Sequence, residues 1–356
     1  MHRLTLQHRL ILLLLFFGLF ALCESAAMAA VPHRNAKPAY AEEQTILQLE
    51  KDEPEPGWTD AASGRRHFDR NYIIPPGNMV EQDLILQRGG NTWRSVRNGP
   101  LSTSFGILLL LAVIALVLMY FVVRPAPAVQ GQSGRKIRRF SRWDRWLHWS
   151  TATVFVILAL TGLFILFGKV FLLPWLGHDV FSWVAIISKY VHNIAGPIFV
   201  VLTLLMFFTY VTRNLFGRGD WTWLKRGGGM FNHEHVPAGE FNAGEKLWFW
   251  FAVTGLGIVM AISGLMLNFP NLGMTRYLLQ GANVFHLVGA GLYIAIAMGH
   301  AYIGTLGTPG AYRAMRDGDV DAEWARYHHE YWYDDVMHGS SANELPPGPL
   351  HPLPPG

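Results

Sequence analysis

The sequence predicts an all-α membrane protein: a four-helix transmembrane bundle with one additional N-terminal transmembrane helix. Three observations carry that prediction. Of 356 residues, 51% are hydrophobic and only 15% are charged. Apolar runs are long enough to cross a hydrocarbon core of about 30 Å. Four histidines, His148, His192, His286 and His300, sit inside or at the ends of those runs, where an ionisable side chain is costly and marks a functional position by default.

The elements follow in chain order. His2, Arg3 and Arg9 precede an apolar stretch from Leu10 to Leu22 and then Ser25-Ala26-Ala27-Met28-Ala29-Ala30. A basic start, a short apolar run and an Ala27-x-Ala29 site read as a secretory signal peptide over 1–29, with an uncleaved anchor as the alternative. Cys23 is the only cysteine, so a mature chain would hold no disulfide, no thiolate-bound cluster and no C-x-x-C-H haem attachment. Residues 30–103 are polar and rich in Pro and Gly, and are expected to form an exported (periplasmic), mostly extended segment leaning on a partner. Within it, Arg88-Gly89-Gly90-Asn91-Thr92-Trp93-Arg94 reads as a turn.

Residues 104–123 form the additional membrane helix, free of ionisable groups. The linker 124–145 sets Arg124, Arg135, Lys136, Arg138, Arg139, Arg142 and Arg145 against the lone Asp144. By the positive-inside rule it is cytoplasmic. The bundle, 146–306, then alternates. A helix over 146–167 goes out, an apolar outer connection spans 168–187, and a helix over 188–212 returns. After a basic cytoplasmic loop, a helix over 246–268 goes out. Pro270-Asn271-Leu272-Gly273 turns the chain, and 281–306 comes back in. The tail, 307–356, is expected to be cytoplasmic and to end in disorder where Pro and Gly dominate. The whole is a multi-pass protein of a bacterial inner membrane, with lipid as its surroundings and no nucleic-acid partner.

This topology fixes the depth of each histidine. His286 and His300 are fourteen residues apart on one helix, a spacing that returns to within about 40° of the same face and climbs about 21 Å. His192 lies early on an inbound helix and His148 at the start of an outbound one. The depths therefore pair His192 with His286 near the outer surface, and His148 with His300 near the inner one. Two imidazoles per level suit two b haems stacked across the bilayer, each with bis-histidine ligation that transfers electrons without opening a position to oxygen. Gly162, Gly196, Gly289 and Gly304 fall near the histidines' faces, where a flat porphyrin needs room. Ordinary small-residue packing accounts for them equally well. Pro197 is expected to kink the His192 helix.

Electrons need an acceptor. Glu240-Phe241-Asn242-Ala243-Gly244-Glu245-Lys246 lies at the inner surface, at the depth of His300. Asn242, the Gly244 backbone, and Glu245 or Lys246 could serve a quinone carbonyl and its protons, with His300 bordering the same site. Asn242 has an equal claim as a helix N-cap. Arg145 and Lys246 could instead pair with inner-haem propionates. His178, His233, His235, His328 and His329 fall in expected loops and read as solvated. Trp143, Trp146, Trp149, Trp248 and Trp250 read as an interfacial aromatic belt.

Several stretches resemble the cytochrome b (gamma) subunit of membrane-bound respiratory formate dehydrogenase. They are Arg145-Trp146-Leu147-His148-Trp149, Tyr190-Val191-His192-Asn193-Ile194-Ala195-Gly196, Phe241-Asn242-Ala243-Gly244-Glu245-Lys246, Phe285-His286-Leu287-Val288-Gly289-Ala290-Gly291 and Met298-Gly299-His300-Ala301-Tyr302. Trp324-Ala325-Arg326-Tyr327-His328-His329 is similar to the family's cytoplasmic end. The resemblance implies His192 and His286 on the outer haem, His148 and His300 on the inner haem, and the Asn242–Gly244 loop beside a quinone, menaquinone or ubiquinone. It also implies two partners on the exported side, an iron–sulfur (beta) subunit and a molybdenum or tungsten catalytic (alpha) subunit. Formate oxidation would lie on the latter, leaving this chain no catalytic residue of its own.

The cytochrome b subunits of nickel–iron hydrogenase and thiosulfate reductase share the four-helix pattern, and the Asn242–Lys246 stretch favours formate dehydrogenase over them. A proton-relay transporter or a non-redox membrane anchor stands as the alternative from a different class. Transporters carry internal repeats and mid-membrane helix breaks. This sequence has no visible repeat, and its histidines avoid the midplane.

Overall fold

A computed structural model describes residues 90–123, 125–126, 133–230 and 234–338. The expected signal peptide, most of the expected exported segment and the Pro/Gly end lie outside the described residues. Five helices are long and apolar enough to cross a membrane: α1 (Trp93–Val123), α2 (Arg142–Phe171), α3 (Leu173–Tyr210), α5 (Ala243–Asn268) and α6 (Arg276–Gly307). A short α4 (Asp220–Lys225) lies in the loop before α5. The chain is an all-α membrane protein.

Local chemistry starts these helices where they start. Ser141 Oγ accepts from the Asp144 amide while the Asp144 carboxylate accepts from the Ser141 amide, a reciprocal cap on α2. Asn242 and Glu245 make the same pair of bonds at the start of α5. Thr275 Oγ1 accepts from the Leu278 amide at the start of α6. Gly177 (φ 72°) takes a backbone setting that breaks the first turn of α3 from the rest. Pro197 sits inside α3 without ending it.

Two boundaries differ from expectation. The apolar connection expected over 168–187 is helical, since α3 begins at Leu173, just past the end of α2. Its residues have the composition of a helix, and the Gly177 break supplies the reversal that a loop would have made. The N-terminal helix also begins earlier than Ser104. The described chain is helical at Gly90–Val96, so the Gly90–Arg94 part of the expected turn is helix leading into α1. Polar residues in that stretch find partners: Arg97 Nε donates to Asn283 Oδ1 on α6 at 3.2 Å, and Ser102 Oγ donates to the Arg97 carbonyl. Deeper in the apolar core, α1 packs against the bundle through Phe105. Its ring meets Phe167 edge-on at 5.7 Å, and a Cβ on Gly291 would come within 3.0 Å of it.

The linker and the tail, read as separate polar segments, fold together. Strands β1 (Lys136–Arg138) and β2 (Asp319–Asp321) pair antiparallel, with Ile137 opposite Val320. Helices α7 (Ala311–Asp317), α8 (Ala322–His328) and α9 (Glu330–His338) complete a cap. Its core holds Ile137, Phe140, Val320, Trp324, Ala325 and Val336.

Two arginines from the basic segments anchor this cap to the bundle. Arg139, its side chain 3% exposed, donates to the Glu240 carbonyl and to Glu245 and lies over Phe140, Phe241 and Trp324. Arg213 bonds Asp144 and Glu240 and faces Tyr210. Arg139 and Arg213 thus have structural partners in addition to any bias on orientation.

Candidate functional site

The four histidines meet in two pairs. His192 on α3 faces His286 on α6, ring centroids 6.1 Å apart and planes at 75°. His148 on α2 faces His300 on α6, centroids 6.2 Å apart and planes at 46°. Helix α6 therefore contributes one imidazole to each pair, about 21 Å apart along its axis. These are the pairs expected from depth alone.

The separation has a chemical meaning. An iron placed between two imidazoles, with metal–nitrogen bonds of about 2 Å as is usual for histidine on a first-row metal, sets ring centroids about 6 Å apart. Among the described residues no group of three His, Cys, Asp or Glu could hold a bare metal ion. A metal between either pair would take its remaining ligands from something other than side chains, as the planar macrocycle of a haem provides. The residues present fit that group.

The pairs differ in what holds the imidazoles. His192 Nδ1 lies 2.9 Å from Thr161 Oγ1, and His286 Nδ1 lies 3.1 Å from Ser263 Oγ. Each hydroxyl spends its proton one turn back: Thr161 donates to the Ile157 carbonyl at 2.7 Å and Ser263 to the Val259 carbonyl at 2.6 Å. In the inner pair, His148 Nδ1 is buried with no hydrogen-bond partner. His300 instead lies flat against Trp248, centroids 4.4 Å apart and planes 10° from parallel.

The glycines divide. A Cβ on Gly162 would meet His192 Cε1 at 3.3 Å, and one on Gly264 would meet His286 Cε1 at the same distance. Gly162 thus serves His192, on the neighbouring helix. Gly289 packs against Val259 and Met260, which is helix packing, and Gly196 and Gly304 have open space beside them. Thr161, Ser263, Gly264 and the inward Trp248 were missed from the sequence. The legible signal was a hydroxyl residue followed by glycine on each of two helices that carry no outer histidine.

At the inner end, Asn242 Oδ1 caps α5 and Glu245 is held by Arg139 and the Asn242 amide. Gly244 leaves room for Trp223, which a Cβ would strike at 2.8 Å. Lys246 is nearly buried, with its ammonium 2.7 Å from Asp220. Arg145 donates to the Arg316 carbonyl at 2.9 Å, and its Nε is buried without a partner. Trp248, expected in the aromatic belt, points into the bundle against His300 and Tyr293. Trp143 and Trp146 stack on each other at 5.2 Å and remain exposed, as a belt requires.

Two of the histidines read as solvated, His328 and His329, are not. His178 lies within α3 and is exposed. His329 is 2% exposed, with Nδ1 2.8 Å from the Gly239 carbonyl. His328 ends α8 against Trp324 and Tyr327, its Nε2 buried and unpartnered. Burial, reinforced by the Arg139 charge, pushes the His328 imidazole down to about 4 and that of His329 well below its ordinary value. His235 pairs with Glu330 at 2.8 Å. His233 lies outside the described residues.

The stretch that carries this geometry matches a family and several relatives. The family described as prokaryotic cytochrome b561 matches residues 139–318, the span from the cap's linker through all four histidines to the tail. Among curated relatives, the formate dehydrogenase cytochrome b556(fdo) subunit of Escherichia coli K12 is 29% identical over 195 residues, covering 52% of this chain and 86% of that protein. The nitrate-inducible formate dehydrogenase cytochrome b556(Fdn) subunit of the same strain is 24% identical over 170 residues, covering 45% of this chain and 76% of that protein.

Proposed function

The chain belongs to the prokaryotic cytochrome b561 family, and from that premise we propose that it is the membrane cytochrome b subunit of a formate dehydrogenase complex. In this reading it passes electrons from a periplasmic iron–sulfur subunit through two b haems to quinone on the cytoplasmic side of the inner membrane. The observation that carries the reading is the pair of facing imidazoles at each of two depths, at 6.1 and 6.2 Å. Both curated relatives named above are formate dehydrogenase subunits, which supports formate over hydrogen as the electron source.

The haems supply one-electron transfer across the apolar core. This chain's residues hold and orient them: His192 and His286 on the outer haem iron, His148 and His300 on the inner. At each level the two imidazoles that would hold the iron come from different helices, α3 and α6 outside and α2 and α6 inside. Arg145, with an unpartnered buried Nε, is the better candidate for an inner propionate. Lys246 is already paired with Asp220.

The Asn242 loop borders the quinone. Its helix runs from that cap to Trp248, which touches His300, so the loop lies within about 10 Å along the axis of the inner pair. Glu245, bound to Arg139 at the edge of the cap, can pass a proton from the cap side. The catalytic and iron–sulfur partners dock on the opposite, exported face.

Haem quantification on the purified chain tests the reading. Two b haems per polypeptide are expected. A folded, colourless protein would end it, and transfer of electrons from hydrogenase but not from formate dehydrogenase partners would move the assignment within the family.

A further inference from the structure

We infer that Thr161 and Ser263 are positioning residues that set the electron affinity of the outer imidazole pair, and that the inner pair has no equivalent. The inference rests on the haem reading above and deepens it.

The argument is one of proton ownership. Each hydroxyl has one hydrogen, and it is engaged by a backbone carbonyl of its own helix, Ile157 for Thr161 and Val259 for Ser263. Toward the histidine it can then only accept. Nδ1 of His192 and of His286 must carry the hydrogen, and Nε2 is left with its lone pair. That is the tautomer an iron ligand needs.

The following glycine completes the device. With Gly162 and Gly264, the Cε1–Nδ1 edge of each ring can lie against the helix that holds it; a methyl there would sit 3.3 Å from Cε1. The same two-residue element, hydroxyl then glycine, thus occurs on α2 and on α5, each gripping an imidazole from another helix. Ser263 is 3% exposed, so no water competes for its oxygen.

A hydrogen bond from Nδ1 makes the imidazole a stronger donor to a metal and favours the oxidised iron. His148, with Nδ1 unpartnered, receives no such push. The outer pair therefore holds its electron less tightly than its imidazoles alone would dictate. This favours onward transfer from outer to inner.

The test is a redox titration of the full chain, followed by visible and low-spin EPR spectra, in Ser263→Ala, Thr161→Val and the double variant. Both haems are expected to remain, with the potential of the outer one raised and that of the inner one unmoved. Shifts of the same sign are expected in Ser263→Ala and in Thr161→Val, and a larger one in the double variant. If Ser263→Ala sheds the outer haem, Ser263→Thr, which restores the hydroxyl, should retain it at the wild-type potential; loss in both would overturn the proposal. So would two haems with unchanged potentials in the double variant. A wild-type chain without haem would instead refute the functional reading, and the two failures are thereby distinct.

Discussion

Trp248 and His300 are stacked, indole on imidazole, 4.4 Å between centroids and 10° from parallel. They come from α5 and α6, and Trp248 opens a nine-residue π-helical stretch, Trp248–Leu256. Wide turns of this kind recur at functional positions. Here the wide turn begins at the indole that braces His300. His148 Nδ1 has no hydrogen-bond partner, and ring stacking on His300 takes the orienting role that hydroxyls play at the other level. Trp248→Leu should leave the outer haem untouched and broaden or shift the low-spin EPR signal of the inner one. An unchanged inner signal would show that the indole only fills space.

Histidine replacements should lose haem in pairs. His192→Ala and His286→Ala are expected to lose the same haem, and His148→Ala and His300→Ala the other, each cutting the Soret absorbance by about half. Crossed losses, with His192 and His148 affecting one haem, would contradict the geometry.

Asn242 separates a cap from a donor. Asn242→Asp keeps an oxygen for the Glu245 amide, whereas Asn242→Ala removes it at a cost of about 1 kcal/mol. Both should slow quinone reduction while both haems stay. If the aspartate variant reduces quinone at the normal rate, Asn242 acts through the helix start alone.

Arg139→Ala should loosen the cap. The guanidinium is buried, and its removal leaves the Glu240 carbonyl and Glu245 short of a donor. Breaking a fully buried pair costs about 3–5 kcal/mol; with Glu245 partly exposed, a loss on the order of 2 kcal/mol is expected. Faster proteolysis within 311–338, with the haem spectrum retained, would be the sign. Cleavage at the wild-type rate would show that the other contacts suffice.

The cap should also be acid-sensitive. His328 and His329 are neutral in the folded cap, the former with a pKa of about 4. Unfolded histidine titrates near 6.5. Between those values the unfolded state binds more protons, so stability rises with pH across the window. It is complete above about 6.5 and falls as pH drops toward 4. Hydrogen exchange of residues 311–338 should quicken over that range, and less steeply in His328→Gln. A flat profile would mean that the two imidazoles are hydrated.

Much of this was legible in the residues. Apolar length gave the spans, and depth along alternating helices paired His192 with His286 and His148 with His300 before any coordinates. The positions that orient those rings were marked only by a hydroxyl residue followed by glycine on α2 and α5, a common pairing in membrane helices. Thr161 and Ser263 look like the many hydroxyls that bond back to their own helix, and only the packing of two helices shows a second use. Trp248 shares its composition signal with exposed Trp143 and Trp146; which way an indole points depends on helix rotation, and the π stretch alters that locally. The cap escaped because its strands are three residues long, and because Arg139 and Arg213, counted in the sequence only as cytoplasmic positive charge, find their partners through the fold. Gly289 fell on the expected face for an ordinary reason, the close approach of α5.

The ribbon of β1 and β2 stands at both ends of the bundle, one strand just before α2 and the other soon after α6. It makes the four-helix unit a closed ring whose entrance and exit are fastened together. A permuted gene that joins those two points and opens the chain instead at the Asn271–Gly273 turn would keep the neighbours among α2, α3, α5 and α6 while leaving α1 aside. Assembly of the two histidine pairs would then be separable from the order in which their helices leave the ribosome.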